Sequence, residues 1–186
     1  MKKDRERWDS RYLEERGSAP SPDPWLIEHA DLLESGRCVD LACGRGGNAL
    51  FVAEKGYAVH AIDISITALS ELQSEANLRN LDVQCVAMDL DYCSLPKSFY
   101  ELVLVFYFFD PRLMEAIRNC LKPCGLIMYA TYNHRHTSVS PGFNEAYLVP
   151  PTGLASYFLD FEILVNEPYA AERHNVARII GRKQSQ

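Results

Sequence analysis

Val39-Asp40-Leu41-Ala42-Cys43-Gly44-Arg45-Gly46-Gly47-Asn48 reads as a short apolar strand that runs into a glycine-rich turn and opens a helix. Glycines at such a turn let the backbone bend where a Cβ would clash, and let a ligand approach closely. The helix beyond the turn presents unpaired N–H groups that suit a carboxylate. Taken alone, Gly44-x-Gly46-x-x-Ala49 also fits a dinucleotide fingerprint, so a nicotinamide-dependent oxidoreductase is one alternative. Asp40 argues against it. It lies four residues before Gly44, where a pyrophosphate would be repelled and a cationic amino group attracted.

Outward from this turn, strands and helices alternate. Strands are expected at Arg37–Leu41, Val59–Asp63, Val83–Met88, Leu102–Phe106 and Leu126–Thr131, with two more near Phe161–Val165 and Val176–Ile180. Helices are expected at Gly46–Lys55, Ile66–Arg79 and Arg112–Leu121, with a short one at Gly153–Phe158. A Pro-rich insertion runs from Asn133 to Pro151. Near-continuous apolar strands alternating with helices imply a mostly parallel, doubly wound α/β sheet with helices on both faces. Such folds bind ligands at the carboxyl ends of the strands. Asp63 ends the second strand, where an acid can accept from a pair of ribose hydroxyls. Asp89 ends the third, where one can accept from an adenine amine. Any one of these acids could instead cap a helix or turn. Three in register at successive strand ends point to one ligand.

These motifs resemble the class I S-adenosylmethionine-dependent methyltransferases over nearly the whole chain. VDLACGRGGNA looks like their first motif, AIDIS their second, MDLD the adenine-contacting stretch and LKPCGLIMYATY the turn into strand five. Trp8-Asp9-Ser10-Arg11-Tyr12, VFYFFDPRL and RHNVARIIGRK are similar to the tellurite-resistance and thiopurine group of small-molecule methyltransferases. The resemblance implies a Rossmann-like, seven-stranded sheet with a reversed last strand and S-adenosyl-L-methionine as cofactor. It implies cofactor contacts from Tyr12, Asp40, Ala42, Gly44, Gly46, Asn48, Asp63, Ile64, Ser65, Asp89, Leu90 and Phe106. Ala42 stands where the family has its first glycine, an exchange expected to be harmless. Cys124 replaces a turn glycine, which leaves Gly125 to take any positive φ. Asp110-Pro111 stands where the narrower group often has His-Arg.

Trp8–Arg16 and Trp25–Leu33 read as helices around a proline-rich connector, Gly17–Pro24. Trp8, Tyr12 and Leu13 form an apolar stripe at i, i+4 and i+5. The resemblance makes this segment a cover over the cofactor. Residues 1–24 are thus read as lid and connector, and 25–186 as the core of a single domain. Packing of the stripe on the sheet's flank is the plainer reading.

Methyl transfer from a sulfonium needs in-line approach and exclusion of water more than covalent help, so neither a nucleophile nor a metal is expected. Acceptor-side candidates come from loops at strand ends: Tyr107, Arg173 and His174 first, then Asp110, Tyr132, His134 and His136. The 186 residues are 47% hydrophobic and 24% charged, with net charge -6, which argues against nucleic acid as partner. A small-molecule acceptor fits the short insertion better than RNA or protein. No membrane-spanning stretch or signal-peptide order is evident, and six cysteines without a C-x-x-C pair suit a reducing, cytoplasmic compartment. A monomer or weak homodimer is expected. A catalytically silent S-adenosylmethionine-binding protein is the second alternative.

Overall fold

The computed structural model describes residues 2–14 and 20–185. Seven strands, β1 (Gly36–Leu41), β2 (Tyr57–Asp63), β3 (Val83–Ala87), β4 (Tyr100–Phe106), β5 (Leu121–Tyr132), β6 (Phe161–Glu167) and β7 (Val176–Lys183), form one sheet. Their order is β3-β2-β1-β4-β5-β7-β6. β2 pairs in parallel with β1 and with β3, and β4 with β5. β7 runs antiparallel to both β5 and β6. The sheet is therefore mostly parallel with its last strand reversed, as the resemblance implies. The chain folds as two compact units, residues 1–93 and 94–186.

In the first unit, β1 and β2 carry helices α3 (Gly47–Glu54) and α4 (Ile66–Leu78). α3 buries Ala49, Leu50, Val52 and Ala53, and α4 buries Ala68, Leu69, Leu72 and Ala76. These are the faces that the apolar spacing selects. The preceding segment holds α1 (Lys2–Glu14) and α2 (Pro24–Glu28). α1 begins six residues before the expected Trp8, with Asp4 in its first turn and Arg11 in its last, both favourable to the helix dipole. Its expected end at Arg16 and the connector from Gly17 to Ala19 lie outside the described residues.

The helix expected over Trp25–Leu33 is shorter. Asp23 caps it by accepting from the Trp25 N–H at 2.9 Å, and Pro24 fills the first position. It stops at Glu28, where the His29 ring Nδ1 meets the Trp25 carbonyl at 2.9 Å, and a 3-10 turn over Ala30–Leu32 follows.

In the second unit, Leu102 to Val105 of β4 are fully buried in succession. Neighbouring strand residues point to opposite faces, so both faces of β4 are covered. α5 (Met114–Cys120) connects to β5. Two expectations fail here. The short helix at Gly153–Phe158 is a 3-10 turn over Leu154–Tyr157. The Leu121-to-Gly125 turn is absorbed into β5 as a bulge, because Tyr100 pairs with Leu121 while Leu102 pairs with Leu126. Within that bulge Cys124 itself takes the left-handed conformation, with φ +64, and Gly125 does not. A Cβ on Gly125 would lie 2.9 Å from the Leu121 side chain and 3.0 Å from the Lys122 carbonyl, so this glycine is needed for space.

Candidate functional site

Asp63, the last residue of β2, anchors two loops at once. Its Oδ2 accepts from the Gly44 N–H and its Oδ1 from the Ser65 N–H, each at 2.8 Å. Its residue is only 6% exposed. Burial pushes the carboxyl above its ordinary value, against hydrogen bonds from Ser65, Gly44 and Ile64 that favour the ion.

The turn that Asp63 holds is backbone-strained. Ala42, Gly44 and Gly46 all have positive φ, at +55°, +54° and +76°. Gly46 caps α3 in this conformation, and a Cβ there would collide with the Leu72 side chain. Ala42 takes the same region with a Cβ present, at about 1–2 kcal/mol. The exchange at the first glycine position is therefore not harmless.

Asp40 lies deeper, 1% exposed. Its Oδ2 is buried with no hydrogen-bond partner. Burial and then the neighbouring Asp63 push its carboxyl up to about 8, although the Ala49 N–H favours the ion. Burial and an Oδ2 that accepts no hydrogen bond disfavour the ionised form of Asp40.

Over these loops lies one face of α1, made by Arg5, Trp8, Asp9 and Tyr12 at i, i+3, i+4 and i+7. Arg5 Nε donates to the Ile64 carbonyl at 3.2 Å. Asp9 Oδ1 accepts from Ser65 Oγ at 2.6 Å and from the Thr67 N–H at 3.0 Å. A Cβ built on Gly44 would lie 2.6 Å from the Tyr12 hydroxyl, so that hydroxyl sits directly against the turn. Trp8 and Tyr12 stack with ring centres 6.0 Å apart. Leu13, expected on the apolar stripe, is 47% exposed and faces away. Arg5 and Asp9 escaped the sequence reading because an apolar stripe gives no weight to a polar residue on the docked face. The run Trp8-Asp9-Ser10-Arg11-Tyr12 was the signal that could have found Asp9.

The remaining candidates of the first unit have visible structural partners. Asn48 Oδ1 accepts from the Asp23 N–H at 2.8 Å, which ties the segment before α2 to the start of α3. Asp89 Oδ1 accepts from the Asp91 N–H at 3.1 Å and caps the turn over Leu90–Tyr92, with Leu90 buried. Ile64 supplies its carbonyl to Arg5. Ser65 caps α4 by accepting from the Ala68 N–H at 3.2 Å.

The second unit gathers a different set. Phe106 is buried at the end of β4, and Tyr107 follows it with φ +56° and 39% exposure. A bulky residue held in that region marks a position fixed by its surroundings. Arg173 Nη1 donates to the Tyr107 hydroxyl at 3.3 Å. Tyr107 lies 5.4 Å from the ring of Tyr132, which stacks on His136 at 3.8 Å, and Phe143 meets both edge-on. Asn175 Nδ2 is 2.7 Å from His136 Nδ1, and burial lowers the pKa of this imidazole.

Tyr107, Tyr132, His136 and Arg173 are thus brought together. His174 is exposed, and its backbone carbonyl accepts from Asn133 Nδ2 at 3.1 Å. His134 packs edge-on against Tyr169. Asp110 is bound by Arg112 at 2.6 Å; burial opposes its ionisation, yet that partner holds its carboxyl below the ordinary range.

Among the described residues, no group of three or more His, Cys, Asp and Glu side chains could hold a metal ion. None of their helices is long and apolar enough to cross a membrane. All six cysteines are free thiols.

Comparison with known proteins identifies a family. The model of the family described as tellurite resistance protein TehB matches residues 11–177. A ubiquinone biosynthesis O-methyltransferase of Idiomarina loihiensis is 30% identical over 115 residues, covering 59% of this chain and 47% of that protein. A probable S-adenosyl-L-methionine-dependent methyltransferase TehB of Haemophilus influenzae is 24% identical over 97 residues, covering 50% of this chain and 34% of its own length. The chain therefore spans less than half the length of either relative. The crystal structure of TehB from Haemophilus influenzae superposes with a TM-score of 0.77 at 16% identity, over 93% of this chain and 66% of that one. At that identity the likeness establishes a shared fold.

Proposed function

This chain belongs to the tellurite resistance protein TehB family, and we propose that it is an S-adenosylmethionine-dependent methyltransferase that moves a methyl group in line to a small-molecule acceptor. The relatives named as methyltransferases support this reading. The observation that carries it is Asp40 Oδ2, a buried carboxylate oxygen with no hydrogen-bond partner beside the Gly-rich turn. That oxygen fits a cationic amino group and repels a pyrophosphate.

S-adenosylmethionine supplies a methyl group on a sulfonium, a good leaving group. The chain's own residues bind, orient and exclude water. Asp40 would accept from the amino group. The Gly44–Gly46 turn gives close backbone access, and Ala42 and Asn48 flank it. Asp63 has lone pairs left for ribose hydroxyls beside Ile64 and Ser65, and Asp89 and Leu90 would receive the adenine; Phe106 is kept as a cofactor candidate. Tyr12, on the helix that lies over the turn, would cover the site and keep water out. Residues 1–24 act as this cover and 25–186 as the core of one domain.

On the acceptor side, Tyr107 and Arg173 are the residues we assign, with His136 and Tyr132 behind them. His174 is kept as a candidate through its neighbour Arg173. The free cysteines suit work in a reducing, cytoplasmic setting.

Thermal shift and calorimetry test the reading. S-adenosylhomocysteine should stabilise the protein and NAD should not; stabilisation by NAD alone would overturn it. Formation of S-adenosylhomocysteine with a small acceptor then separates an enzyme from a silent binding protein.

A further inference from the structure

A ring of contacts joins the N-terminal helix to the turn beneath it. Asp9 accepts from Ser65 Oγ (2.6 Å) and the Thr67 N–H (3.0 Å). The Ser65 N–H donates to Asp63, and the other oxygen of Asp63 accepts from the Gly44 N–H. Tyr12, three residues on from Asp9 on the same helical face, closes the ring with its hydroxyl against Gly44. Asp9 and Tyr12 thus grip the two ends of one chain of hydrogen bonds.

The bond to Thr67 could be a helix cap and nothing more. But α4 is already capped by Ser65, whose Oγ accepts from the Ala68 N–H at 3.2 Å. Without Asp9, α4 keeps that cap, whereas α1 loses the hydrogen bonds that Ser65 Oγ and the Thr67 N–H and side chain donate to it. Burial opposes ionisation of Asp9, yet the donors Ser65 and Thr67, helped by Arg5, hold its carboxyl below the ordinary range. The ionised group also faces the start of α4, where the helix dipole favours it.

We propose that Asp9 is a positioning residue of the cofactor site, holding the N-terminal helix over the Gly44 turn and fixing Ser65, and through it Asp63, for a ribose. This rests on the S-adenosylmethionine reading above. Asp9 acts by retaining the bound nucleoside and excluding water rather than by touching the reacting atoms. Its loss therefore speeds ligand release more than it lowers fold stability.

The experiment measures S-adenosylhomocysteine dissociation from the full chain by stopped-flow, alongside the thermal midpoint. Asp9→Ala should release the ligand about tenfold faster, with the midpoint of the free protein shifted by no more than about 3 °C. Asp9→Asn should restore slow release, because its amide oxygen can accept from both donors. If Asp9→Ala does not fold, Arg5→Ala removes the tie to Ile64 and carries the same expectation of faster release. Wild-type release from a folded Asp9→Ala or, failing that variant, from Arg5→Ala overturns the proposal. So does an Asp9→Asn that releases as fast as Asp9→Ala. A wild-type protein that binds no S-adenosylhomocysteine overturns the cofactor reading itself, and this inference with it.

Discussion

The Gly44 amide donates to Asp63 Oδ2 at 2.8 Å, so the turn after β1 is fastened to the acid that ends β2. One carboxylate therefore shapes the site and is also the group assigned to bind within it. Structural and functional losses at this residue are joined, and an affinity change alone cannot be assigned to a lost ligand contact.

Asp63→Ala should lower stability by about 2 kcal/mol or more, since the Gly44 and Ser65 N–H groups lose their acceptor. Urea denaturation beside calorimetry with S-adenosylhomocysteine separates the two effects. An unchanged midpoint would show that the two backbone bonds are dispensable.

Asp40 makes stability depend on pH. Its carboxyl is pushed up to about 8, well above an unfolded aspartate near 4. Its contribution is then complete below about pH 4 and lost as pH rises through about 8, by at most about 1.4 kcal/mol per unit. Asp40→Asn, which cannot ionise, should flatten that fall. Binding of S-adenosylhomocysteine near pH 7 should release a proton as Asp40 ionises. Equal apparent enthalpies in phosphate and Tris buffers would contradict this.

Ala42→Gly and Cys124→Gly should each stabilise the protein by about 0.5–1 kcal/mol, by relieving left-handed strain at φ +55° and +64°. Gly125→Ala, one residue further on, should destabilise it, because the added Cβ meets Leu121 and the Lys122 carbonyl. Differential scanning calorimetry of the three variants decides the matter. A stabilising Gly125→Ala would reverse the assignment of the turn.

Tyr107→Phe removes only the hydroxyl that Arg173 reaches at 3.3 Å. Stability should change by no more than about 0.5 kcal/mol, since the ring contacts to Tyr132 remain. Affinity for S-adenosylhomocysteine should hold while methyl transfer to the acceptor falls. An acceptor KM and kcat both at wild-type values would remove Tyr107 from the site.

The strands and the glycine-rich turn were legible because apolar runs and glycines act locally. Leu102 to Val105 must be covered on both faces wherever they lie. The ties across the chain were not legible. Asp9 meets Ser65 from 56 positions away, and nothing in the spacing of Trp8, Tyr12 and Leu13 marks the polar residue between them as docked. Asn48 looked like a ligand contact, and the donor it meets lies 25 residues earlier. Ala42 and Cys124 show a further limit: composition places a glycine where φ turns positive, and here two other residues make the bend.

The position of β7 bears on how the protein is made. β6 has β7 as its neighbour in the sheet, and β7 is the last strand of the seven to leave the ribosome. During synthesis β5 and β6 wait with open edges, while residues 1–93, whose strands and helices adjoin in sequence, can already assemble. The second unit is completed only when β7 has emerged, by antiparallel pairing that reaches back from Val176 to Tyr132. Until β7 emerges, β6 lacks its neighbour and one edge of β5 stays open, a form of nascent chain exposed to aggregation.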